Sequence, residues 1–377
     1  MIYFDNSATT KPYKEVLDAF VTVSTNYFGN PSSIHQLGSE AERLLTQSRT
    51  VVASLLHVKQ SEIVFTSGGT EGNNLAIKGI ALKHRNRGKH IITSQGEHPS
   101  VVEACKQLEQ VGFDVTYLPL NEQGVVTVQS VKEALRDDTI LVSLIHVNNE
   151  IGSIQPIQEI AQLLKNYPKV FFHVDHVQGI GKVPISLQHI DLCTVSGHKF
   201  HSVKGTGILY IRNGVKLDPL LSGGQQESFV RSGTENLAGI VAMTKALRMT
   251  LEKSKEAVGY VTALKEELQT FLEGLDYAHV NSPVGGAPHI LNVSFIGLKP
   301  EVLVHAFEER GIFVSTKSAC SSKQKEISRV LLALGLQEKI AESAIRISLS
   351  FENTKEEVEA FKQAVIEIVP NLYEVMR

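Results

Sequence analysis

Cysteine is scarce in this chain of 377 residues: Cys105, Cys193 and Cys320 are odd in number and far apart. That spacing excludes a disulfide framework and a Cys-x-x-Cys metal knuckle, and it suits a reducing compartment. An excess of either charge is also lacking. Thirty-seven Lys and Arg against forty Asp and Glu leave a net charge of −3, which supplies no general field for nucleic acid or anionic lipid. No apolar run reaches the ~18 residues that a membrane span needs. The opening "MIYFDNSATT" has no basic segment leading into an apolar core. A cytoplasmic protein with no membrane and no direct nucleic-acid partner is therefore expected. The basic stretch "LKHRNRGKH" (82–90) reads as a helix C-terminus whose cations oppose the helix dipole. His98, His173, His176, His198 and His201 show no tight ligand spacing with Cys or carboxylates, so no metal is expected.

Repeats and low-complexity segments are missing too, and what fills the first 250 or so residues is an alternation of β-rich runs with amphipathic stretches. Strands are predicted at 62–67, 90–95, 114–119, 139–147, 169–175, 191–196 and 207–211. Many are apolar nearly throughout, as strands covered by helices on both faces must be. Stretches such as "NNLAIKGIALKHR" and "PIQEIAQLLKNY" carry apolar residues at helical spacing. The expected fold class is α/β, with a mixed, mostly parallel central sheet. A charged helix at 252–260 leads into "HILNVSF", "GIFVST" and "AIRISLS", mixed with helical "PEVLVHAFEERG". The expected domains are a large one over 15–255 and a smaller α+β one built from 1–14 and 256–377.

Four polar groups interrupt this pattern at strand ends. In "EIVFTSGGTEGNNLAIKG" a strand turns through Gly68, Gly69 and Thr70 into a helix, which is either ordinary capping or a cradle of N–H groups for phosphate. It has neither the spacing of a nucleoside triphosphate loop nor that of a dinucleotide fold. In "DLCTVSGHKFHSVKGTG" Lys199 follows a strand, beside Ser196 and His198. It is either an exposed loop lysine or, if desolvated, an amine able to form a Schiff base with an aldehyde. Asp175 ends "KVFFHVD" as a turn cap or as the partner of a protonated pyridine, with Gln178 three residues on. His98 is a structural histidine or a flat ring able to stack and carry protons. Cys320, in "GIFVSTKSACSSKQKE", stands among residues too polar to bury, so its thiol is expected on a mobile, water-accessible loop. Cys105 and Cys193 read as core residues.

Taken together, these residues resemble the cysteine desulfurases of the NifS and IscS kind, within the class V aminotransferase group of pyridoxal-phosphate (PLP) enzymes of fold type I. "YFDNSATTKP", "YFGNPSSIH", "FTSGGTEGNNLAI", "EHPSV", "HVNNEIGSIQPI", "VDHVQGIGK", "SGHKFHSVKGTG", "GGQQESFVRSGTEN", "STKSACSS" and "IRISLS" follow in the family's order over nearly the whole chain. The resemblance implies that Lys199 holds the cofactor aldehyde, His98 stacks on its ring, Asp175 pairs with the pyridinium and Gln178 with the phenolate oxygen. It further implies that Gly69, Thr70, Ser196 and His198 bind the phosphate, with Thr234 reaching it from the partner of a homodimer. Asn149 is placed against cofactor and substrate, and Arg346 on the substrate carboxylate. L-cysteine would give L-alanine, and Cys320 would carry the sulfur as a persulfide to an acceptor protein, a tRNA-thiolating enzyme or an iron–sulfur scaffold.

The chain departs from the family at Ser202-Val203, where Gly-Pro is frequent, at His176 beside Asp175, at Lys317 near the cysteine, and in ending on "VPNLYEVMR" where some relatives are expected to carry a longer tail. Two other readings compete. One is another class V enzyme, an aminotransferase or selenocysteine lyase. The other is a PLP-binding scaffold without turnover.

Overall fold

In the computed structural model, which describes residues 1–316 and 327–375, a seven-stranded sheet forms the centre. In chain order the strands are β1 (Ile2–Tyr3), β2 (Ile63–Thr66), β3 (His90–Ser94), β4 (Asp114–Leu118), β5 (Thr139–Ile145), β6 (Phe171–Asp175), β7 (Leu192–Ser196), β8 (Gly207–Ile211), β9 (Ala278–Val280), β10 (Ile290–Phe295), β11 (Ile312–Phe313) and β12 (Ala344–Ser348). The central sheet runs β2-β8-β7-β6-β5-β3-β4, and β8 alone is antiparallel to its neighbours. Each of the seven strands expected for this region is present within a few residues of its expected span.

Successive residues of a strand point to opposite faces, and both faces here are dry. Ile91, Leu141 and Leu192 join one apolar cluster, with Leu75, Ile77 and Ile80 of the helix Gly69–His84 and Val101 of Pro99–Glu109. Their neighbours Ile92, Val142 and Cys193 join another, with Ile157 and Ile160 of Ile157–Leu164. Cys105 and Cys193 both lie in this core, where burial pushes the Cys105 thiol up to about 12.

The predicted helix at 252–260 is part of one 37-residue helix, Leu237–Glu273. Its apolar spacing does not break at the charged stretch. Ile240, Met243 and Leu247 pack toward the central sheet, and Val261, Leu264, Leu268 and Leu272 pack into a separate cluster with Phe4, Phe295, Phe307 and Phe361. β12, β10 and β9 form an antiparallel sheet beside that cluster. The chain's first residues run alongside it: β1 pairs with β11, and Asp5 bridges to Ser348. A division near residue 256 is thus proposed to pass through a continuous helix.

Candidate active site

The carboxyl ends of parallel strands are where open α/β sheets hold ligands, and the predicted residues sit there. Asp175 closes β6, Ser196 closes β7, and a single tight turn, Gly197–Lys199, follows. A Cβ on Gly197 would stand 2.3 Å from Thr206 Oγ1, so this turn needs glycine. His98 caps the helix Pro99–Glu109 beyond β3, and Asn149 follows β5. Gly68, at φ +147°, swings the chain from β2 into the helix Gly69–His84. Arg346 arrives from β12, near the other end of the chain.

Ser7, Ala8, Gly69, Thr70, His98, Asn149, Asp175, Gln178, Ser196, His198, Lys199 and Arg346 line one cavity, together with Asn73 and Ser100. Lys199 Nζ donates to the Ser7 carbonyl and, at 2.9 Å, to that of Ala8. Asp175 is buried. Its Oδ2 accepts from Asn73 Nδ2 at 2.7 Å and its Oδ1 from the Val177 N–H at 3.0 Å. Burial raises its pKa, while these donors and the Lys199 charge pull the other way. His98 Nδ1 accepts from the Ser100 N–H at 3.1 Å and lies 2.8 Å from Ser100 Oγ. Burial, helped by the Lys199 charge, pushes His98 down to about 4, so its ring is neutral at physiological pH. Burial likewise takes His198 down to about 3.

Arg346 is 1% exposed. It donates from Nη1 to the Asn149 carbonyl at 3.0 Å and from Nη2 to Asp5 Oδ1 at 2.8 Å, and its Nε is buried without a partner. A buried guanidinium with an uncommitted donor at a cavity wall is suited to a carboxylate.

The residues present fit pyridoxal phosphate. Ser196 Oγ and Ser7 Oγ are buried and unpartnered at the cavity. A Cβ on Gly69 would stand 3.0 Å from Val177 Cγ2 and 3.5 Å from the Ser196 side chain, so only glycine keeps the cradle open. Around it stand the amides that open a 16-residue helix, the Thr70 hydroxyl and the His198 ring, a donor set for a phosphate. Asp175 offers a buried carboxylate for a pyridinium, and Lys199 a primary amine for an aldehyde.

Thr234 does not share this cavity. It is exposed at a neighbouring pocket with Thr66, Gly205, Glu227 and Arg231. Cys320 and Lys317 lie outside the described residues. Of the departures, His176 is buried behind Asp175, its Nδ1 2.8 Å from His146 Nδ1. Gly179 is required there, since a Cβ would come within 2.4 Å of the His176 ring. Ser202 is also buried, and the Val203 carbonyl accepts from Thr206 Oγ1 at 2.8 Å.

Sequence reasoning missed Asn73, Ser100, Asp5 and the carbonyls of Ser7 and Ala8. One signal was available: Asn73 is a polar residue on the apolar, sheet-facing side of its helix.

Fold and site define a pyridoxal-phosphate enzyme of fold type I. The chain belongs to the aminotransferase class-V family, whose pattern matches residues 2–361. It is 48% identical over 373 residues to a NifS/IcsS protein homolog of Lactobacillus delbrueckii subsp. bulgaricus, covering 98% of this chain and 97% of that one. It is 44% identical over 379 residues to the cysteine desulfurase IscS of Methanosarcina thermophila, covering 100% and 93%. The solved structure of a NifS-like protein superposes with a TM-score of 0.92 at 39% identity, covering 98% and 99%. That of SspA in complex with cysteine gives 0.83 at 35% identity, covering 93% and 99%.

Proposed function

We propose that this enzyme is a cysteine desulfurase: it converts L-cysteine to L-alanine and passes the sulfur, as a persulfide on Cys320, to an acceptor protein. The observation that carries the reading is the convergence of Lys199, Asp175, His98 and Arg346 on one cavity beside an unpartnered phosphate-type cradle. Bound there, pyridoxal phosphate supplies an electron sink for the pair left at the substrate's α-carbon. Asp175 would hold the ring nitrogen protonated, and Gln178 with His98 would fix the ring. Gly69, Thr70, Ser196 and His198 hold the phosphate.

Lys199 Nζ would hold the cofactor's aldehyde, and its amine is the base placed to take the substrate's α-proton. Arg346, with Asn149 beside it, receives the substrate carboxylate. The Cys320 thiolate attacks the substrate sulfur: an S–S bond forms, the Cβ–S bond breaks, and its electron pair stays with the carbon skeleton, which gains protons to leave as alanine. A thiol of ordinary pKa ~8.5 is only slightly ionised at neutral pH, so Cys320 needs help from a nearby base or from Lys317, Lys323 and Lys325.

Homodimerisation is part of the proposal, with Thr234 reaching the phosphate of the partner's site. The acceptor is either a tRNA-thiolating enzyme or an iron–sulfur scaffold, in the cytoplasm. Among the described residues no helix is long and apolar enough to cross a membrane.

The test is turnover of L-cysteine with a thiol reductant, reading sulfide and alanine. Equal yields of the two are expected. Cys320→Ala is expected to keep the cofactor absorbance and form no persulfide; normal sulfur transfer by that variant would refute the assignment. Transamination without sulfide would indicate an aminotransferase, and no spectral change with cysteine a scaffold.

A further inference from the structure

We infer that Asn73 and Ser100 are positioning residues, which hold His98 as its Nε2–H tautomer through the same hydrogen-bond chain that aims Asp175. The direction of every link follows from the first. Asp175 accepts at both oxygens, from the Val177 N–H and from the amide nitrogen of Asn73, which faces Oδ2 at 2.7 Å. The same nitrogen reaches Ser100 Oγ at 2.9 Å. Both amide hydrogens are then committed, and the serine oxygen is an acceptor. Its single hydrogen is left for His98 Nδ1, 2.8 Å away. The Ser100 backbone N–H donates to that nitrogen as well, at 3.1 Å.

Two donors on Nδ1 keep its lone pair in use, so the hydrogen of the neutral ring sits on Nε2. Asn73, Ser100 and Asp175 are all buried, and solvent does not compete for these links. The chain couples residues 27 and 102 positions apart in sequence.

One consequence concerns proton traffic. His98 presents an N–H through Nε2 and accepts a proton only at Nδ1, after Ser100 turns its hydroxyl away. It is therefore held as a donor, and removal of the α-proton falls to Lys199. The inference rests on the proposed function only for the identity of the ring that His98 faces, because the tautomer is a property of the chain itself.

The test uses full-length protein with nitrogen-15 in its histidines, with and without pyridoxal phosphate, His98 being assigned by the signal lost in His98→Gln. At neutral pH a pyridine-type Nδ1 and a pyrrole-type Nε2 are expected in both forms. Ser100→Ala keeps the backbone donor to Nδ1 and removes only the hydroxyl; it is expected to leave the hydrogen on Nε2, shift the Nδ1 signal and lower kcat roughly tenfold, the size seen when groups that orient a ligating side chain are removed, with KM altered much less. Ser100→Thr is expected to restore both. A hydrogen on Nδ1 in the wild type would overturn the inference, as would wild-type ring signals and kcat in Ser100→Ala. If Ser100→Ala does not fold, the wild-type tautomer still decides. Failure to take up pyridoxal phosphate with the expected tautomer in place would sink the proposed function and leave this inference standing.

Discussion

Arg346→Lys separates charge from geometry at the proposed carboxylate site. Lysine keeps a cation on β12 but loses the planar fork, and with it the donor that Arg346 Nε, buried and unpartnered, has available. A hydrogen bond between charged groups contributes about 1.5–3 kcal/mol net. At about 1.4 kcal/mol per tenfold, kcat/KM for L-cysteine should fall about 10- to 150-fold. Folding should suffer less than the 3–5 kcal/mol typical of emptying one side of a buried pair, for two reasons. The cation remains, and the Asp5 side chain is 22% exposed and stays partly hydrated. The assay compares L-cysteine with 2-aminoethanethiol, the same amine and thiol without a carboxylate. Wild type should prefer cysteine strongly, and the variant should lose that preference while handling the truncated amine as wild type does. An equal loss on both compounds would mean that Arg346 acts on the site's structure and not on the carboxylate.

Two further perturbations test the frame of the site. Glu97, next to His98, is buried; its Oε1 accepts from Ser94 Oγ at 2.6 Å and from the Ile145 N–H at 3.0 Å, while Oε2 has no partner. Burial raises its pKa from 4.5 to about 8, so the folded protein holds this proton where the unfolded chain releases it. Its contribution to stability is complete below about pH 4.5 and is lost as pH rises toward 8, by about 1.4 kcal/mol per pH unit. Denaturation midpoints across that range should slope less in Glu97→Gln, and identical slopes would count against a protonated Glu97. Separately, a Cβ on Gly72 would stand 2.7 Å from Thr194 Cγ2. Gly72→Ala should therefore cost about 1–3 kcal/mol and weaken cofactor retention, as the helix bearing Thr70 and Asn73 is pushed off β7. Thr194→Ser in the same protein removes that methyl and should recover both; no recovery would place the strain elsewhere.

Much of this site was legible because its residues sit where a short-range pattern changes. Asp175, Ser196, His98 and the Gly68–Thr70 turn each follow an apolar strand at once or within a few residues, and a polar group in that position stands out from a period-two background. Parallel topology then brings those strand ends to one edge, so a one-dimensional signal becomes a cavity. The long helix Leu237–Glu273 was harder. The charges from Glu252 onward suggested a separate element, while the apolar spacing on either side is continuous and carries the helix from one core to the next.

What no local pattern displays is the closure of the cavity by the two ends of the chain. The Ser7 and Ala8 carbonyls meet Lys199 across 192 and 191 residues, and Asp5 meets Arg346 across 341. Those contacts exist because β1 pairs with β11 and Asp5 bridges to Ser348 at the end of β12, a register set by the apolar cluster around Phe4 and not by any motif near residue 5. The same segment feeds both halves of the proposed chemistry, since its carbonyls hold the anchoring amine and its aspartate orients the guanidinium. A loosened N-terminal strand should therefore disturb amine and carboxylate recognition together. Phe4→Ala, which leaves every polar group of the site in place, tests this: a parallel loss of cofactor affinity and of preference for cysteine over 2-aminoethanethiol is expected. Loss of only one would mean that the two halves are held independently.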